Sequence, residues 1–143
     1  MKFDLHSECE LCASSGGEII WKDGFCRVVL IEDPDYPGFC RVILNDHFKE
    51  MTDLTQEDQT RLMRVVFAVE KAIRHAINPY KINLASLGNK TAHIHWHVIP
   101  RFEDDKTFPL SIWSDLNKLH QSHPLEGHSI ETLKNLINAY LNQ

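Results

Sequence analysis

The sequence predicts an α+β fold, with helices set apart from a mainly antiparallel sheet. Three observations carry this expectation. The run His93-Ile94-His95-Trp96-His97-Val98 alternates polar and apolar residues with the period of a strand. Residues 55–77 repeat apolar side chains with the period of a helix. Strands, helix, strands and helix follow one another along the chain.

Residues 7–17 are the most turn-like stretch, and Ser14-Ser15-Gly16-Gly17 reads as a loop. Glu18–Trp21 has the character of a short strand. Phe25–Glu32 and Phe39–Leu44 are rich in Val, Leu and Ile. The turn residues Asp33-Pro34-Asp35-Tyr36-Pro37-Gly38 join them, which suggests an antiparallel pair. Thr55 followed three residues later by Asp58 resembles a capping box. Leu62, Val65, Val66, Val69, Ile73 and Ile77 then fall on one helical face, and Asn78-Pro79 ends the helix. Tyr80–Leu87 reads as a strand, Gly88-Asn89-Lys90 as a turn and Ala92–Arg101 as a further strand. A closing amphipathic helix carries the stripe Leu133, Leu136, Ile137, Tyr140 and Leu141.

The 143 residues suit one domain over 1–143, with an N-terminal segment at 1–17 and a helical tail at 116–143. Hydrophobic residues at 43% and charged residues at 24% are ordinary for a globular chain. The net charge of -5 and the lack of a Lys/Arg run disfavour broad nucleic-acid binding. A small anion remains compatible, because a few local donors can hold it. No apolar leader or membrane-length window is present, so the expected compartment is the cytoplasm. There Cys9, Cys12, Cys26 and Cys40 are expected as reduced thiols or metal ligands rather than disulfides.

Strand alternation puts His93, His95 and His97 on one face and Ile94, Trp96 and Val98 on the other. Burying the apolar set against the helices would leave three imidazoles lining an open surface. Alternate residues on a strand lie roughly 6.6–7 Å apart, so three rings can act on one ligand. Two chemistries suit them. One is a metal site. The other is nucleophilic attack at phosphorus by a neutral imidazole, which splits one hard displacement into two easier ones. The remaining reading is chance clustering among nine histidines.

The run His93-Ile94-His95-Trp96-His97-Val98-Ile99, followed by Pro100-Arg101, resembles the signature of the histidine triad (HIT) family. The likeness extends over most of residues 18–115. Arg101-Phe102-Glu103-Asp104-Asp105, Phe108-Pro109 and Ile112-Trp113 resemble a bacterial branch of diadenosine polyphosphate hydrolases. The resemblance implies a five-stranded antiparallel sheet with two helices, commonly as a homodimer. It implies a nucleotide substrate and no metal for the chemical step. His95 would attack an α-phosphate to form a nucleotidyl-histidine, His97 would contact the phosphate, and His93 would help orient the site.

Substrate contacts carry over residue by residue. Gly88-Asn89-Lys90-Thr91 stands where the family usually has Gly-Gln and then Ser or Thr. Asn89 can supply an amide donor. Lys90 either meets a more anionic leaving group, such as a polyphosphate, or points to solvent. Asn83 lies near a position that often makes a polar contact. Among Glu32, Asp33 and Asp35, Asp33 is the favoured ribose ligand, and turn shaping is the competing role. Many members carry a histidine eight residues before the position of His47, where this chain has Phe39.

Cys9-Glu10-Leu11-Cys12 is a CxxC pair. Some bacterial relatives hold zinc with such a pair, a mid-chain histidine and the first triad histidine, here Cys9, Cys12, His47 and His93. That set would be a closed structural site. Unligated thiols or a redox pair are the alternatives. Cys26 and Cys40 read as small core residues. His6, His75, His120, His123 and His128 read as surface or loop residues, Glu103-Asp104-Asp105 as a solvated turn, and Trp113 as core, with a reach toward the substrate region of a dimer as the alternative. The leading function is a nucleotide hydrolase. A nucleotidyl transferase of the same chemistry comes second, and a non-catalytic nucleotide- or zinc-binding regulator is the reading from another class.

Overall fold

The computed structural model describes residues 8–120 and 125–142. His6 and His123 lie outside the described residues. The elements are α1 (Glu10–Ala13), β1 (Glu18–Lys22), β2 (Cys26–Leu30), β3 (Cys40–Leu44), α2 (Gln56–Ile77), β4 (Lys81–Ala85), β5 (His95–Arg101) and α3 (Gly127–Leu141). A single 3-10 turn at Met51–Asp53 precedes α2. The five strands form one sheet in the order β1-β2-β3-β5-β4, and each neighbouring pair is antiparallel. The α+β expectation therefore holds. The histidine-bearing strand is internal, which fixes its register from both sides. Among the described residues no helix is long and apolar enough to cross a membrane.

Local chemistry sets the limits of α2. The Thr55 hydroxyl accepts a hydrogen bond from the Asp58 amide at 3.1 Å, and Glu57 and Asp58 place negative charge at the positive end of the helix. Asn78 closes the helix with φ 53°, donating its amide to the Arg74 carbonyl. Leu62, Val65, Val66, Val69 and Ile73 are buried. They meet Leu133 and Ile137 of α3 and one face of the sheet, built from Cys26, Val28, Cys40, Val42, Leu44, Ile94 and Val98. Each such side chain contributes roughly 1.5–3 kcal/mol by leaving water. The face presented to the helices is thus the apolar half of the alternation in β5.

Among the described residues the opposite face has no helix layer of comparable size. Arg27, Arg41, His95, His97 and Arg101 share it, among small clusters formed by Leu11, Val29 and Ile43 and by Tyr36, Phe39 and Ile99. Two of its arginines are consumed by structure. Arg27 donates to the carbonyls of Leu11 (2.7 Å), Ser14 (3.1 Å), Ser15 (2.9 Å) and Leu44 (3.4 Å), and to Asn45 Oδ1 (3.2 Å). It therefore staples the N-terminal segment onto the sheet. Arg101 donates to Asp105 through Nε (2.8 Å) and Nη2 (3.0 Å), and also to Asn83 Oδ1, Thr107 Oγ1 and the Leu110 carbonyl.

Several expectations need correction. The turn-like stretch 7–17 contains α1, a helix of four residues. Asp105 is not part of a solvated turn. It is buried, and its carboxylate accepts from Arg101 and from the amides of Phe102, Thr107 and Phe108. Burial alone would raise the Asp105 carboxyl, but the Arg101 and backbone donors outweigh it and hold the group below the usual range. His120 lies in an irregular segment as expected, and its Nε2 meets the Asp35 carboxylate at 3.0 Å. The expected strand at 92–101 begins at His95, since the His93 amide turns back to the Thr91 carbonyl at 2.9 Å.

Asp105→Ala strips the carboxylate from a buried guanidinium. Denaturant unfolding is expected to show a loss of about 3–5 kcal/mol, against about 0.5 kcal/mol or less for Glu103→Ala at an exposed position of the same turn.

Candidate active site

His95, His97, Gly88, Asn89, Lys90 and Thr91 line one hollow of about 450 Å³. The structure adds Arg41 from β3, Trp113 from the loop after β5, and Glu10, Leu11, Ser14 and Gly16 from the N-terminal segment. Gly88 takes φ 75°, a left-handed backbone that turns the β4–β5 connection over the histidines. A groove of about 560 Å³ between the end of α2 and β4 is lined by Glu70, Lys71, Arg74 and Lys81, and none of the triad reaches it.

The hydrogen-bond partners fix which ring nitrogen is free. His95 Nδ1 lies 2.6 Å from the His93 carbonyl oxygen. A carbonyl only accepts, so Nδ1 carries the hydrogen and Nε2 keeps its lone pair. His97 is arranged the other way. Arg41 Nε donates to His97 Nδ1 at 3.1 Å, so the hydrogen of His97 sits on Nε2. The two rings stand edge-on, with centroids 5.0 Å apart. Trp113 packs edgewise on His97 at 4.9 Å, and Phe39 lies 5.7 Å away on another side. His97 is only 5% exposed. Burial, then Arg41 and His95 beside it, push it down to about 3, so the ring is neutral at neutral pH.

His93 does not line the hollow. Its ring is 1% exposed, so the three imidazoles do not share an open surface as alternation alone suggested. The ring turns under α1 instead. Its Nε2 donates to the Leu44 carbonyl at 2.7 Å, which leaves the Nδ1 lone pair facing Cys9 Sγ and Cys12 Sγ, each at 3.4 Å. His47 Nδ1 lies 3.4 Å from Cys12 Sγ. The four donor atoms all fall within 4.8 Å of one another. A tetrahedral zinc with ordinary Zn–S and Zn–N bonds places neighbouring S and N ligands about 3.5 Å apart, so this Cys₂His₂ set fits a structural zinc. Without a cation, burial and the neighbouring Cys9 push the Cys12 thiol up to about 11. A divalent cation would reverse that preference. Cys26 and Cys40, raised to about 12 chiefly by burial, are inert core thiols.

Two other expected site residues, Asn83 and Asp33, are placed differently, and so is Trp113, expected as core. Asn83 faces the same side as His97, but its Oδ1 is held by Arg101 at 2.8 Å and it does not line the hollow. Asp33 shapes its turn, accepting the Asp35 amide on Oδ1 at 2.9 Å and the Tyr36 amide on its carbonyl. Trp113 is 48% exposed and forms a wall, not core. Arg41 is the residue that sequence reasoning missed. The one available signal was a lone charge within the apolar run Phe39–Leu44. Its importance depends on the pairing Arg41↔His97, which only the register reveals.

Comparison with known proteins agrees with this geometry. The HIT domain model matches residues 14–104. An uncharacterized HIT-like protein of Borreliella burgdorferi is 25% identical over 109 residues, covering 68% of this chain and 78% of its own length. A histidine triad protein of Sinorhizobium meliloti is 27% identical, with a TM-score of 0.69 over 88% of this chain and 90% of its own. A zinc-bound histidine triad family protein of Mycobacterium smegmatis shares the fold at 23% identity, with a TM-score of 0.64 over 95% and 96% of the two chains. With the family model spanning most of the chain, and the triad run leading into the internal strand β5, this protein belongs to the HIT domain family.

Proposed function

We propose that this protein cleaves a nucleoside phosphate anhydride or phosphoramidate through a covalent nucleotidyl-histidine on His95. The observation that carries the reading is the Nδ1–H of His95 bound to the His93 carbonyl, with Nε2 left free in a hollow of nucleotide-phosphate size. In the first step Nε2 attacks the α-phosphorus. A P–N bond forms, the bond to the leaving group breaks, and the leaving group departs with the electron pair. The imidazole becomes cationic, and the His93 carbonyl stabilises it through Nδ1–H. Water then attacks the same phosphorus, the P–N bond breaks towards the ring, and the nucleoside monophosphate leaves as a proton is released.

His97, neutral and with its hydrogen on Nε2, suits a donor to a phosphate oxygen. Lys90 at the mouth suits an anionic leaving group, which favours a dinucleoside polyphosphate over an uncharged amine. The Cys9, Cys12, His47 and His93 set would hold a structural zinc, with the zinc-bound Mycobacterium smegmatis relative as support. When bound, that ion would fix His93 and thereby the carbonyl that orients His95. β4 is an outer strand whose free edge suits pairing with a second copy as a homodimer. The cytoplasm suits thiol ligands that must stay reduced.

Three outcomes test this reading. Incubation with diadenosine tetraphosphate is expected to leave an acid-labile adenylyl adduct, seen by mass spectrometry. His95→Ala abolishes adduct and turnover together, and an active His95→Ala protein would refute the nucleophile. EDTA treatment too brief to extract the structural ion leaves the chemistry intact. For the metal, Cys9→Ala lowers bound zinc from about one per chain to a small fraction and lowers the melting temperature. For His97, the unfolded ring gains its proton near about pH 6.5 and the folded ring near about 3. Stability from this group is thus complete above the higher value and lost as pH falls towards the lower one. The slope is up to about 1.4 kcal/mol per pH unit. Denaturant titrations between about pH 4 and 7 should show a shallower pH dependence for His97→Gln than for the wild type.

A further inference from the structure

Three arginines stand on the open face of the sheet, and only one has donors to spare. Arg27 and Arg101 are spent on carbonyls and on Asp105. Arg41 uses Nε alone, on His97, and the described residues give its two Nη groups no hydrogen-bond partner. Among the described residues no carboxylate forms an ion pair with it, and Glu10 and Asp33 act on its charge only through space. Its guanidinium rests 5.2 Å above the Phe39 ring, which limits its freedom without satisfying its donors. It lines the same hollow as His95 and His97. A partly buried cation with unspent, forked donors is matched to a phosphate, whose oxygens take the two N–H groups side by side.

We propose that Arg41 is the phosphate receptor of this hollow. Its Nε holds His97 in the Nε2–H form, and its Nη fork takes a non-bridging oxygen of the phosphate seated at His95. The inference rests on reading the hollow as a nucleotide site. It adds a contact and positioning residue on β3, outside the triad strand and outside the β4–β5 turn. The same side chain would link the donor on His97 to the charge that it serves. A phosphate arriving in the hollow therefore meets two donors already aligned by one hydrogen bond.

The test compares binding of adenosine 5′-monophosphate and adenosine to the full chain by calorimetry. Arg41→Met is expected to weaken the monophosphate about 10-fold to 100-fold and to change adenosine by about twofold or less. Arg41→Lys, which restores charge without the fork, regains part of that loss. Nitrogen-detected spectra of the imidazoles should place the His97 hydrogen on Nε2 in the wild type and on a mixture of both nitrogens in Arg41→Met. The proposal is overturned if Arg41→Met binds the monophosphate as the wild type does, if it loses both ligands equally, or if Arg41→Lys is no better than Arg41→Met. A monophosphate held through Arg41 with no adduct on His95 would sink the nucleophile and keep this site. An adduct that forms normally in Arg41→Met, with unchanged affinity, would do the reverse.

Discussion

A single hydrogen bond, from His95 Nδ1 to the His93 carbonyl at 2.6 Å, decides what the triad strand can do. It spans adjacent like-facing residues, so it exists only because β5 begins in the extended form at His95 while His93 has already turned back towards Thr91. With the hydrogen fixed on Nδ1, the other nitrogen keeps its lone pair, on a ring that lines the hollow. The remaining two histidines support this state from opposite sides. His93 lends its backbone to His95 and its ring to a thiol cluster, and His97 is kept neutral by burial and by a cationic neighbour. Three identical side chains at alternate positions thus hold two tautomers, with the hydrogen on Nδ1 in His95 and on Nε2 in His93 and His97, and each is set by a different partner.

Much of this was legible in the residues. The period-two run placed Ile94 and Val98 in the core, the period of α2 named its buried stripe, and Thr55 and Asn78 marked its ends, because these are short-range effects written in consecutive residues. The CxxC pair and His47 come together with His93 as the family resemblance implied. What escaped were facts of register and of long-range pairing. Arg41 matters through the residue opposite it on another strand. Trp113 is a wall because the loop after β5 folds back over His97. Asp105 is buried because Arg101, four residues earlier, points inward and needs a counter-charge. Asn83 and Asp33 had suitable chemistry for a ligand, but nearer partners already occupy them.

The open face also shows how one sheet accommodates several positive charges. Arg27 is neutralised by carbonyl dipoles and Arg101 by a carboxylate held at two points, whereas Arg41 has neither contact among the described residues and feels Glu10 and Asp33 only through space. Satisfying a buried cation with dipoles or with an ion pair rigidifies the chain around it. The two satisfied arginines accordingly anchor the segments that flank the hollow: the N-terminal segment on one side and the loop of residues 102–113 on the other.

The wall formed by Glu10, Leu11, Ser14 and Gly16 belongs to a segment with little core of its own, fastened by Arg27 and by the thiols near His93. Occupancy of the cavity and integrity of that fastening are therefore two ends of one equilibrium. A guest touching the wall favours the fastened form, and fastening the wall favours the guest by the same factor. Removing residues 8–16 would consequently loosen the enclosure even though it deletes no histidine of the triad.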